Sequence, residues 1–65
     1  MKPYRFVLRK DGTRIDELGV MALVDDSEAL AFAEGIARDL ANSQDVGRSI
    51  AVLNGTRTVR SIPLE

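Results

Sequence analysis

The sequence predicts an α+β domain of order ββαββ, a four-stranded antiparallel sheet with one helix packed on one face. Three observations predict it. Tyr4, Phe6 and Leu8 alternate with Arg5, Val7 and Arg9 and run into Asp11-Gly12. A capped amphipathic run follows from Asp25 to Ala41, and a second β-rich pair of segments is divided by Asn54-Gly55. A period of 2 marks a half-buried strand and a period near 3.6 a helix lying on a core.

Tyr4–Arg9 is the first strand, and Asp11-Gly12 accepts the positive φ of a tight hairpin turn. Arg14-Ile15-Asp16 begins a second, shorter strand. Gly19 suggests a bend, with Val20, Met21 and Leu23 tucking under the helix as it begins. Asp25 and Glu28 have capping-box spacing, and Asp26 and Glu28 complement the positive helix N-terminus. Ala29, Leu30, Ala33, Ile36, Ala37, Leu40 and Ala41 fall on one arc at 100° per residue, with Phe32 at its edge. Glu34, Gly35, Arg38 and Asn42 take the opposite arc, and Glu34 and Arg38 form an i,i+4 pair worth about 0.3 kcal/mol. The helix ends between Ala41 and Gln44, with Asn42 or Gly47 available for the left-handed stop. Arg48–Leu53 and Thr56–Ile62 form the second hairpin, closed by Pro63. Its register has two readings. A two-residue Asn-Gly turn, the preferred one, pairs Ile50 with Val59 and sets Val52 opposite Arg57. A four-residue loop pairs Val52 with Val59 and Ile50 with Ser61. The expected strand order is 2-1-3-4. One helix about 10 Å wide cannot cover four strands spanning about 19 Å, so the far face stays open.

Charge is sorted along the chain. Residues 1–15 hold Lys2, Arg5, Arg9, Lys10 and Arg14 against Asp11, a balance of +4. Residues 16–45 hold eight acids against Arg38, a balance of −7, and residues 46–65 return to +2. A basic sheet backing onto an acidic helix is the expected result, on a chain whose net charge is −1.

A 65-residue domain buries only about 60% of its unfolded surface and is marginal on its core alone. With no Cys there is no disulfide, and with neither His nor Cys zinc has no good ligands. No D-x-D-x-D-G loop offers a calcium site. Self-association is the remaining staple, so a homodimer is expected. No apolar run approaches about 18 residues, and the N-terminus lacks a signal peptide's apolar stretch. The expectation is a cytoplasmic protein with no membrane contact and no cofactor.

Tyr4, Phe6, Leu8, Asp11-Gly12, Asp16, Gly19-Val20, Leu23, Asp25, Glu28-Ala29 and Ala33 form a pattern of strand, Asp-Gly turn, D-x-x-G-V and capped helix. With the closing Ser61-Ile62-Pro63-Leu64, it resembles an uncharacterised family of short alphaproteobacterial ββαββ proteins, a domain of unknown function. The resemblance implies the fold and brings no activity with it. It also implies a first-strand position where members often have histidine, and Val7 stands there. Ser27-Glu28-Ala29-Leu30 is similar to the helix start of HicB-type antitoxin domains, which have three strands and a Gly-Cys segment before the helix, both missing here.

No constellation amounts to an active site. Ser27, Ser43, Ser49 and Ser61 have no His to activate them. Asp25, Asp26 and Glu28 are explained by the helix start, and the five glycines make no phosphate-loop spacing. An enzyme is not expected. The candidate interaction face is Arg5, Val7, Arg9, Arg14 and, depending on register, Arg57 or Arg60, with Arg60 taken as the member. Arginine stems cover apolar neighbours such as Val7 while their charge stays wet. The same face could contact nucleic-acid phosphates, but it lacks stacking aromatics, since Tyr4, Phe6 and Phe32 all read as core.

Overall fold

A computed structural model of the chain describes residues 1–40 and 47–64. The elements are β1 (Lys2–Lys10), β2 (Thr13–Leu23), α1 (Asp26–Leu40), β3 (Arg48–Asn54) and β4 (Arg57–Pro63). They form the expected ββαββ fold, with sheet order β2-β1-β3-β4 and every neighbouring pair antiparallel.

The first hairpin turns where the sequence says it should. Lys10 pairs with Thr13 around Asp11 and Gly12, whose φ angles of 51° and 82° make a type I′ turn. Beyond it β2 runs 11 residues, well past the short strand expected. Two register shifts explain why its alternation is illegible, one between Phe6 and Val7 and the other between Leu8 and Arg9. Each inserts one extra residue on β2, Leu18 and Ile15, and flips the phase of the residues beyond it. Gly19 takes the positive φ of 145° inside the strand, not in a bend. Leu23 is buried beneath the helix as expected, but Val20 is 63% exposed and Met21 39% exposed.

The helix begins on its acidic cap. The Glu28 N–H donates to Asp25 Oδ1 at 3.0 Å, and Glu28 Oε1 accepts the Val24 N–H at 3.0 Å. This is a capping box whose return bond reaches one residue further back than usual. Ala29, Ala33 and Ala37 are the buried stripe. Small side chains let α1 settle closely on Tyr4, Phe6 and Leu8 of β1 and on Ile50 and Val52 of β3. Leu30 and Ile36 flank the stripe, half-buried, while Phe32 is 39% exposed with its ring 5.1 Å from that of Phe6. Phe32 is thus a rim residue and not core. The expected helix stop at 41–44, including Asn42, lies outside the described residues. Gly47 does adopt a positive φ of 80°, and its carbonyl accepts the Asp11 N–H at 2.9 Å, docking the chain on the first hairpin.

The second hairpin differs from both expected registers. Asn54 pairs with Arg57, so the turn is Gly55-Thr56, and Gly55 alone has positive φ, at 63°, the pattern of a type II′ turn. Leu53 faces Thr58, a register shift follows, and then Val52 faces Arg60 and Ile50 faces Ile62. The extra residue is Val59. An unbroken ladder would turn Ser61 to the core and Ile62 away. The bulge lets Val59 and Ile62 both pack against the cluster under the helix.

Candidate interaction surfaces

The face opposite the helix carries Arg5, Val7 and Arg9 from β1. Antiparallel pairing adds Glu17, Val20 and Arg14 from β2, and Leu53, Ala51 and Ser49 from β3. No helix covers this side, yet Val7 is 1% exposed and Ala51 fully buried. Side chains roof them. Arg5 Nε lies 3.0 Å from Glu17 Oε2, forming an ion pair on this face, and Arg9 is half-buried beside them. Arginine stems therefore cover Val7 as the sequence suggested.

The roof also reduces the basic character of the face. Arg5 is matched by Glu17, which leaves Arg9 and Arg14 directly opposite each other. The buried Arg9 Nε has no hydrogen-bond partner among the described residues. Arg60 does not belong to this face. The bulge at Val59 sets it opposite Val52, on the helix side of β4. Arg57 is on the helix side too, with Nη2 3.3 Å from Asp26 Oδ1 and from Oδ2. The candidate set therefore divides: Arg5, Val7, Arg9 and Arg14 share a face, and Arg60 lies across the sheet.

That Asp26 is the centre of a cluster the sequence does not reveal. The buried Tyr4 hydroxyl donates to Asp26 Oδ1 at 2.7 Å. The hydrogen bond to Asp26 raises the Tyr4 phenol above its ordinary 10.0, with burial and the Asp26 charge acting the same way. The same bond, then Arg57, lowers the Asp26 carboxyl below 3.8. A tyrosine rather than phenylalanine at a fully buried strand position was the one signal in the sequence, because a buried phenol needs a partner. The phenol is held neutral and the half-exposed carboxylate is shared between Tyr4 and Arg57, so the cluster clamps β1, α1 and β4. Among the described residues no three His, Cys, Asp or Glu side chains could hold a metal ion. No helix among them is long and apolar enough to cross a membrane.

A third surface lies at the edge of the sheet. The helix packs more closely on β3 and β4 than on β2. Between α1 and β2 it leaves an apolar groove of about 190 Å³ lined by Phe6, Leu18, Met21, Phe32 and Ile36. Gly19, opposite Phe6 in the ladder, places no side chain there. β2 itself is an edge strand, with one side of its backbone unpaired. No family model, no curated protein and no solved structure matches the chain.

Proposed function

We propose that the chain is a non-enzymatic protein-interaction module that self-associates through its sheet as a homodimer. The observation that carries this reading is the sheet itself, four strands under one helix, with two unpaired edges and apolar side chains exposed along β2. Unpaired edges template the addition of another strand, and native sheets that stay monomeric blunt them. The absence of His and Cys from the sequence supports a role without nucleophilic or metal chemistry, and the reading includes no cofactor. It takes the protein to be cytoplasmic and without membrane contact. The resemblance to the alphaproteobacterial family belongs to this proposal and contributes no activity. Light scattering behind gel filtration tests it: a dimer is expected, and a folded, strictly monomeric protein at high micromolar concentration overturns it.

A second reading is a small nucleic-acid-binding or regulatory protein. Arg9 and Arg14 favour it, sharing one face with no acidic partner among the described residues. Two phosphate contacts would give a log–log salt slope of only about −2, which makes this the weaker reading. A titration of short duplex and single-stranded probes against salt tests it. Unchanged binding on replacing Arg5 and Arg9 by Ser would remove it.

A further inference from the structure

We infer that β2 is the strand through which two copies of this chain pair, edge to edge and antiparallel, about a two-fold axis. The inference rests on the self-association reading and names the element that performs it.

The two edges of the sheet are unlike. β4 carries Arg57 and Arg60 and ends on Pro63, devices that obstruct strand addition. β2 has its bulges at Ile15 and Leu18, and beyond them Gly19–Leu23 pairs with β1 in unbroken register. From Leu18 through Leu23 it is uncharged and free of proline, with Val20 exposed on the face away from the helix and Met21 on the helix side. Such a stretch on an open edge either pairs or aggregates. At about 3.3 Å per residue its 11 residues make an edge comparable in length with the molecule's longest extent of 35 Å.

Charge at the ends of β2 selects a second copy as occupant and fixes its direction. At the hairpin end stand Lys10 and Arg14, while the Asp11 carboxylate lies against Gly47. At the helix end Asp25 and Glu28 are exposed, Asp26 is held by Arg57, and Lys2, opposite Leu23, is the single cation against them, so that end stays acidic. An antiparallel partner of the same sequence sets each basic end against the other's acidic end, twice by symmetry. It also sets Asp16 and Glu17 opposite the uncharged stretch. In-register parallel pairing would oppose Asp16, Glu17 and Arg14 to themselves, which is unfavourable.

The groove completes the geometry. A two-fold axis perpendicular to the sheet keeps both helices on one side, so the grooves flank the seam. Met21 and Phe32 of each copy then face those of the other, and exposed apolar surface on both copies is covered by one isologous contact.

The test is solution mass on the full chain in about 0.1 M salt, comparing wild type with Val20→Glu and Ala22→Lys on β2, which set like charges against the partner's Asp16–Glu17 and Arg14, and with Thr58→Lys on β4. All three positions are exposed, so folding is expected to survive, and circular dichroism checks it. The expected result is a wild-type dimer that Val20→Glu and Ala22→Lys weaken about tenfold or more, with Thr58→Lys unaffected. Amide hydrogen exchange in wild type gives a second readout, with slower exchange along Leu18–Leu23 at high than at low concentration. A wild-type dimer that both β2 variants leave intact, or that shows no such protection, overturns the β2 assignment while self-association stands. A wild-type monomer at high micromolar concentration overturns both.

Discussion

The Tyr4 hydroxyl donates to Asp26 Oδ1 at 2.7 Å, and through this bond the start of the helix is tied to a central strand. Arg57 reaches the same carboxylate from β4, so one acid joins three elements. Asp26 is also the first residue of α1, where a negative charge is favoured by the helix dipole. The clamp fixes the helix over β3 and β4, and that placement leaves the groove beside β2 open.

The clamp should show in the pH dependence of stability, with opposite signs at the two extremes. A carboxyl lowered on folding stabilises above its unfolded value of 3.8, and the contribution is lost as pH falls through the lower folded value. A phenol raised on folding stabilises below 10.0, and the contribution is lost as pH rises through the higher folded value. Tyr4→Phe should therefore lower the melting temperature most near neutrality. Its deficit should narrow in acid and again above pH 10.0. In NMR titrations of Tyr4→Phe the Asp26 carboxyl should move up toward its ordinary value.

Val7 should behave as a core residue although no helix covers it. It is 1% exposed beneath the Arg5–Glu17 pair, and full burial of a valine side chain is worth about 1.5–3 kcal/mol. Val7→Ala is expected to cost about 1–2 kcal/mol by urea unfolding. Arg5→Ala should cost less than about 1 kcal/mol, because a half-exposed ion pair contributes little and only the stem's cover is lost.

Element types, strand order and the first turn were legible because each rested on local chemistry that tertiary packing did not override. Asp11-Gly12 needs two positive φ angles, and the Asp25 cap satisfies N–H groups at the helix start. The bulges were not legible. Leu18, Ile15 and Val59 each add one residue to an edge strand, and after an insertion a period of 2 points its residues to the wrong face. That is why Arg60 was expected on the open face, while Val20 was expected under the helix because Gly19 read as a bend rather than as a residue within a bulged strand. Glu17 was likewise unreadable as the partner of Arg5, since their proximity depends on the register of β2.

The bulge in β4 makes a sharp contrast between adjacent positions. Ile62 faces Ile50 and packs on the core, while Ser61 faces Ala51 on the other side. Ile62→Ala should destabilise by about 1–3 kcal/mol, below the full core range because the side chain is half-buried. Ser61→Ala should stay within about 0.5 kcal/mol of wild type. An unbroken ladder through Val59 would place Ser61 beneath the helix and reverse the pair, so comparing the two unfolding curves reads the register directly.

Gly47 should be the least replaceable of the turn glycines. Gly12, Gly47 and Gly55 all have positive φ, and an alanine at any of them meets the same kind of backbone strain. At Gly12 and Gly55 an added Cβ would find open space, whereas at Gly47 it would fall on the Asp11 carboxylate. The Asp11 carboxylate can swing away about its own χ angles, leaving the Asp11 N–H on the Gly47 carbonyl and the first hairpin turn undisturbed. Gly12→Ala and Gly55→Ala are each expected to cost about 1 kcal/mol. Gly47→Ala should cost about 1–1.5 kcal/mol, the strain plus a small contribution for displacing the carboxylate. Adding Asp11→Gly to Gly47→Ala removes only that small contribution and leaves the strain. In a double-mutant cycle the two substitutions should therefore add to within about 0.5 kcal/mol, and a larger coupling would show that the Asp11 carboxylate is held in place against Gly47.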